Sequence, residues 1–138
     1  MDIKSYLEGI RTQDEKIHTM REELETVRRS LGIKGVSYDN TGASASTPAA
    51  DAMAEVIAEI IDFEKEIEQE ECRLAVMRLK AVSMINKLSD DKEREVLRRW
   101  YLLFECEEDI KKAMKCSRTT VYNCRRRGLE KLVQICTK

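Results

Sequence analysis

The side chains best equipped for chemistry lie in one stretch, KCSRTTVYNCRRRGLEKL, Lys115 to Leu132. Ser117 stands before a helix-forming run, where its hydroxyl can accept from the free backbone N–H groups that open a helix. With Val121 taken as inward and about 100° per residue, Thr119, Asn123 and Arg126 point outward. Tyr122, Thr120 and Arg127 flank that row, and Arg118 and Arg125 sit at its edges. Such a row offers recognition rather than catalysis. In the major groove Arg pairs with guanine and Asn with adenine, while Arg, Lys, Thr and Tyr reach phosphates. The expected double-stranded DNA contacts are therefore Lys112, Lys115, Ser117, Arg118, Thr119, Thr120, Tyr122, Asn123, Arg125, Arg126 and Arg127. The N–H groups at the Ser117 end offer a further phosphate site.

Catalytic chemistry has much weaker support. No His/Cys/acid cluster and no G-x-x-x-x-G-K-[ST] run occurs, and GIKG is too short to cradle a phosphate. None of the five cysteines forms a C-x-x-C pair, and the single histidine, His18, is far from them in the chain. No enzyme, metal, cofactor or small-molecule substrate is expected. An odd cysteine count without a secretion signal fits reduced thiols serving as small core hydrophobes. With no apolar run of about 18 residues, the expectation is a cytoplasmic protein without a membrane span.

The net charge of −1 hides an asymmetry. Residues 111–138 carry nine Lys or Arg against Glu130 alone, while the rest of the chain holds 16 bases and 25 acids. One end is built to meet negative charge. The acids gather between Asp51 and Glu71, where Lys65 is the only base. That stretch reads as a solvated helix face, or as a surface that docks a basic protein or keeps this half away from DNA.

The basic helix needs elements to hold it. Asp90 with Glu93 signals an N-cap, and Val96, Leu97, Trp100, Leu103 and Phe104 would form the apolar face of a helix near 91–104. A short helix at about 107–114 would turn Ile110, Ala113 and Met114 inward. The basic helix, about 117–135, would bury Val121, Cys124, Gly128, Leu132 and Ile135. A short helix, a tight turn and a second capped helix make a helix-turn-helix arrangement.

Upstream, apolar residues recur every seven: Ile3, Ile10, Ile17, Leu24, Leu31, with Tyr6, Gln13, Met20 and Val27 three places after. The run GIKGVSYDNTGASASTP breaks the pattern, with Thr47 as N-cap and Pro48 at the first helical position. A second series comes next, Met53, Ile60, Ile67, Leu74, Ala81 and Leu88, with Val56, Phe63, Glu70, Met77 and Met84 three places after. Such repeats make coiled-coil helices. The fold expected is all-α: an antiparallel helical hairpin over 1–88 (helices about 3–31 and 48–88, loop 32–47), then a three-helix helix-turn-helix domain over 89–138. Folded back, the hairpin would bring its two polar seam members, Gln13 and Glu70, level. The helices would measure about 43 Å and about 60 Å at 1.5 Å per residue. The second overshoots and must pack on the C-terminal segment or on a second chain, and pairing between chains in a homodimer is the alternative to a hairpin.

Together, LSDDKEREVLRRWYL and IKKAMKCSRTTVYNCRRRGLEKL resemble region 4 of bacterial sigma-70-type factors. The shared frame is an ER-x-V-L helix, an E-x-I-x-x-x-hydrophobic helix, a Ser-x-x-x-Val start and an R-x-L-x-K-L tail. With the heptads and a loop containing SYDN, the layout resembles the small sigma-like regulators of phage and prophage late genes, the ArpU and RinA kind. The sequence departs from the usual pattern at Lys111, where a small residue is common, and at Lys115, where the turn usually has Gly. The resemblance implies transcription control, through a promoter's upstream element and contact with RNA polymerase. A phage DNA-packaging component like a small terminase subunit, or a coiled-coil protein-interaction module, is the alternative.

Overall fold

The seven-residue repetition of apolar side chains becomes two long helices, and the shorter apolar patterns after them become three short ones. The computed structural model describes residues 2–32 and 48–136. Among these the protein is all-helical, without a strand: α1 (Ile3–Ser30), α2 (Pro48–Ile85), α3 (Asp91–Leu97), α4 (Glu107–Met114) and α5 (Arg118–Cys136). From α3 the chain runs on into a π-helical turn over Arg98–Leu102. Most of the expected loop, with Thr47, lies outside the described residues. No described helix is long and apolar enough to cross a membrane.

The chain forms two compact units, Lys16–Cys72 and Met1–Glu15 with Arg73–Lys138. In the first, Ile17 and Leu24 of α1 and Ile60 and Ile67 of α2 are buried. Lys16 pairs with Glu70 at 3.2 Å and Arg28 with Glu64 at 2.8 Å, so numbers rise along one segment as they fall along the other. Arg21 also pairs with Glu71. Exposed ion pairs of this kind contribute about 0–1 kcal/mol each. A buried Ile or Leu contributes about 1.5–3 kcal/mol, so the apolar seam holds the segments and the charges select the pairing. The second members of each repeat are less well covered: Met20 and Phe63 are half-buried and Val27 is exposed, as is Met53, which opens the leading series of α2.

The other unit buries Ile3, Leu7 and Ile10 of α1 with Leu74, Ala81, Ile85 and Leu88. The far end of α2 is thus covered within one chain, which answers the overshoot. The helix stops at Ile85 rather than at 88, because Lys87 and Leu88 donate their N–H groups three residues back, to Met84 and Ile85.

Asp90 caps α3, its Oδ1 accepting from the Glu93 N–H at 3.0 Å. The helix expected near 91–104 changes form after Leu97. Leu103 donates to the Arg98 carbonyl, five residues back, Glu105 to the Arg99 carbonyl, six back, and Phe104 takes a left-handed φ of 56°. The wider turn shifts the register of the residues after it. Leu103, expected inside, is 62% exposed, whereas Tyr101 is buried. Two guanidinium groups lie over the Phe104 ring, Arg11 at 5.2 Å and Arg78 at 5.5 Å from its centroid. Such contacts favour an aromatic ring there.

Val96, Ile110, Val121 and Cys124 form the core under the short helices, with Trp100, Met114 and Cys116 partly buried against it. Gly128 lets α5 approach α3 closely: a Cβ there would stand 3.0 Å from Cδ1 of the fully buried Leu97. Besides Leu103, two expected core residues lie outside it. Ala113 is exposed, and Ile135, in the last turn of α5, is 38% exposed. The cysteines are not uniformly core residues either. Cys124 is buried, but Cys72 and Cys106 are exposed.

Candidate nucleic-acid interface

The interface begins with the turn between α4 and α5. Helix α4 ends at Met114, and Lys115 takes the left-handed conformation at φ 52° and ψ 49°. The N–H groups of both Lys115 and Cys116 fold back on the Lys111 carbonyl, which closes the helix end. The turn thus keeps the geometry that favours glycine while carrying a lysine. Lys111, the other departure from the usual pattern, is partly buried and reaches Glu108 with its Nζ at 3.5 Å.

Ser117 opens α5. Its Oγ accepts from the Thr120 N–H at 3.1 Å and lies 2.9 Å from the Thr120 hydroxyl, while its carbonyl accepts from the Val121 N–H. Val121, Cys124, Gly128 and Leu132 face the core. Thr119 and Arg126 are exposed on the opposite side, and Asn123 is partly exposed beside them. Tyr122 is 51% exposed. Lys112 and Lys115 are exposed, and Thr120 is half-buried.

The four arginines have four different settings. Arg118 is met by two carboxylates from the first turn of α4, Glu108 at 2.7 Å and Glu107 at 3.8 Å. Its hydrogen bond holds the Glu108 carboxyl below the usual carboxylate range, with Lys111 adding to the effect, and raises the guanidinium's own pKa. Arg125 lies over the Trp100 ring at 4.0 Å, with Tyr122 at 5.9 Å. Arg126 projects outward, with Glu130 one turn further on at 3.0 Å. Arg127 turns to the other flank, 3.8 Å from Glu93. Glu93 is itself buried and takes both its shorter contacts, 2.9 and 3.0 Å, from Lys131.

Sequence reasoning placed Arg126 outward, Arg127 on its flank and Arg125 at its edge, but it counted all three as DNA contacts and gave none of them a partner within the chain. It also missed Glu93 as the buried anchor between α3 and α5, reading it only as part of an N-cap. The available signal was a pair of cations at i and i+4, Arg127 and Lys131, on the flank of a helix whose inner stripe packs on α3.

A family model described as a protein of unknown function, DUF1492, matches residues 45–133. The chain belongs to this family. No curated protein and no solved structure matches it. The DUF1492 match runs from just before α2 to the last turn of α5, so every residue of the candidate interface lies within it.

Proposed function

We propose that this DUF1492 chain is a sequence-specific DNA-binding regulator of transcription that reads the major groove with α5. In this reading α4, the Lys115 turn and α5 form the helix-turn-helix of a sigma-70 region 4-like domain. The two long helices form an antiparallel hairpin ahead of it. The observation that carries the reading is the outward row Thr119, Asn123 and Arg126 on a helix capped by Ser117 and packed by its opposite face. A helix held in this way presents base-reading side chains at fixed positions, as major-groove recognition requires. Lys112, Lys115 and Arg127 flank the row with positive charge for phosphates. Regulation of phage or prophage genes, with contact to RNA polymerase, is the role that the sigma-like frame of residues 88–135 supports.

Selection from a pool of randomised duplexes tests this. The native chain is expected to enrich one short motif, and Asn123→Ala or Arg126→Ala to relax it at one base pair each, costing about 1–3 kcal/mol of discrimination. A pool that stays random after selection by the native chain would contradict sequence-specific reading.

A further inference from the structure

Helix α2 carries a second seam that its pairing with α1 does not use. Beginning at Ala54, residues on its outer face recur in steps of three, four and four: Ala54, Ile57, Ile61, then Lys65, Glu68, Cys72. Val76, Leu79 and Ser83 continue in the same steps. An 11-residue repeat of this kind runs at about 3.67 residues per turn, close to the helical period, so its members share one face of the helix. Most of the stripe is open to solvent. Ile61 is 47% exposed, Val76 53% and Leu79 70%, the last being the most exposed large apolar residue described in the chain. Cys72 is exposed, and so are the two charged members, Lys65 and Glu68.

The order of steps from Ala54 to Leu79 reads the same in both directions. An isologous contact requires this, since each position must meet its counterpart on an identical surface. We infer that α2 pairs antiparallel with α2 of a second copy of this chain, with Lys65 level with the partner's Glu68. Every other position is then set without adjustment. Ile61 meets the partner's Cys72, Ile57 the partner's Val76, and the small Ala54 the partner's exposed Leu79. Apolar residues meet apolar residues on both sides, and the only two charged positions meet each other twice across the two-fold axis.

Charges beside the stripe point to the same register. Glu55 and Asp62 lie on the flank away from α1 in the first half of the helix, and Arg73 and Lys80 lie on that flank in the second half. In the antiparallel pair Glu55 comes beside the partner's Lys80, and Asp62 beside the partner's Arg73. A parallel pair would instead set like charges together along its whole length. Lys65, the lone base among the acids of this stretch, has a role in this arrangement that a merely solvated face would not give it. The proposal stands independently of DNA binding.

The test is the mass of the full chain in solution, measured by sedimentation velocity over a concentration series. The native chain is expected to run at twice its 16.0 kDa. Leu79→Glu should return it to a monomer with unchanged helical circular dichroism. Lys65→Glu and Glu68→Lys should each abolish the dimer, because each places like charges together twice. An equimolar mixture of those two variants should dimerise again, since every close pair becomes Glu opposite Lys. A native chain that stays monomeric would overturn the proposal. So would an oligomer, ring or dimer, that survives Leu79→Glu and both charge reversals.

Discussion

The guanidinium carbon of Arg125 lies 4.0 Å from the centroid of the Trp100 ring. Trp100 belongs to the π-helical turn after α3, and Arg125 to the middle of α5. A stacked guanidinium over indole contributes about 0.5–2 kcal/mol and fixes the direction of both side chains. It also separates Arg125 from its neighbours, since Arg126 points to solvent and Arg127 to Glu93.

The three consecutive arginines should therefore separate in experiment. Arg125→Ala is expected to lower stability by about 1 kcal/mol, through loss of the Trp100 stack. Arg125→Lys should not restore it, because an ammonium does not stack as a planar fork does. Arg126→Ala should leave stability within about 0.5 kcal/mol, as for most exposed substitutions, and act on DNA affinity alone. Urea melts of the variants beside their DNA affinities check this, and equal stability losses at 125 and 126 would refute the division.

Glu93 is 2% exposed and carries Lys131 and Arg127. Glu93→Gln should cost about 2 kcal/mol, at the level of a lost charge-assisted hydrogen bond, with partly exposed cations limiting the loss. Lys131→Met should cost more than Arg127→Met, because Lys131 supplies the shorter contacts. Chemical denaturation gives the ranking, and the reverse order would show that the 3.8 Å pair is the stronger one.

Lys115 holds a left-handed backbone conformation that costs a residue with a side chain roughly 1 kcal/mol. Lys115→Gly should raise the melting temperature, although glycine's looser unfolded chain offsets part of the gain. The same change removes a cation from the proposed DNA side, so the salt dependence of binding should flatten by about one unit. A rise in stability together with a loss of affinity would explain why a lysine stands in this turn. A fall in stability would mean that the Lys115 side chain supports the turn.

Asp90 accepts the Glu93 N–H, and that bond is the main reason its carboxyl sits below the usual value of 3.8. A lowered folded-state pKa stabilises the fold above the unfolded value and is lost as pH falls through the folded one. Asp90→Asn keeps a good cap but cannot titrate. The native chain should therefore lose stability relative to Asp90→Asn as the pH drops below 3.8, with little change in the difference above about pH 5. Thermal melts from about pH 2.5 to 6 would show it, and a constant difference across that range would remove the cap from the account.

Much of this fold could be read from the sequence because burial with a fixed period leaves a periodic trace. Ile3, Ile10, Ile17 and Leu24, and Ile60, Ile67, Leu74 and Ala81, are all buried as their seven-residue spacing implies. Leu7 and Ile85 fall off that spacing and are fully buried all the same, because the unit around them contains more than a two-helix seam. The caps at Asp90 and Ser117 were legible, being one-residue signals with local partners. The π-helical turn was not. Nothing in RRWYL names it, and it exchanged the expected burial of Leu103 for that of Tyr101. The division of labour among Arg125, Arg126 and Arg127 depends on what α3 and the turn after it place beside α5, so three identical letters could not disclose it.

The claim that α5 meets DNA is tested most directly by duplex binding across a salt series. The native chain and an Arg118→Ala/Arg126→Ala double variant would be compared. With about six phosphates neutralised, log affinity should fall against log salt with a slope near −5. The double variant should bind more weakly, with a slope flatter by about one to two units. No binding at about 50–100 mM salt, or binding that the double variant leaves unchanged, would contradict the account.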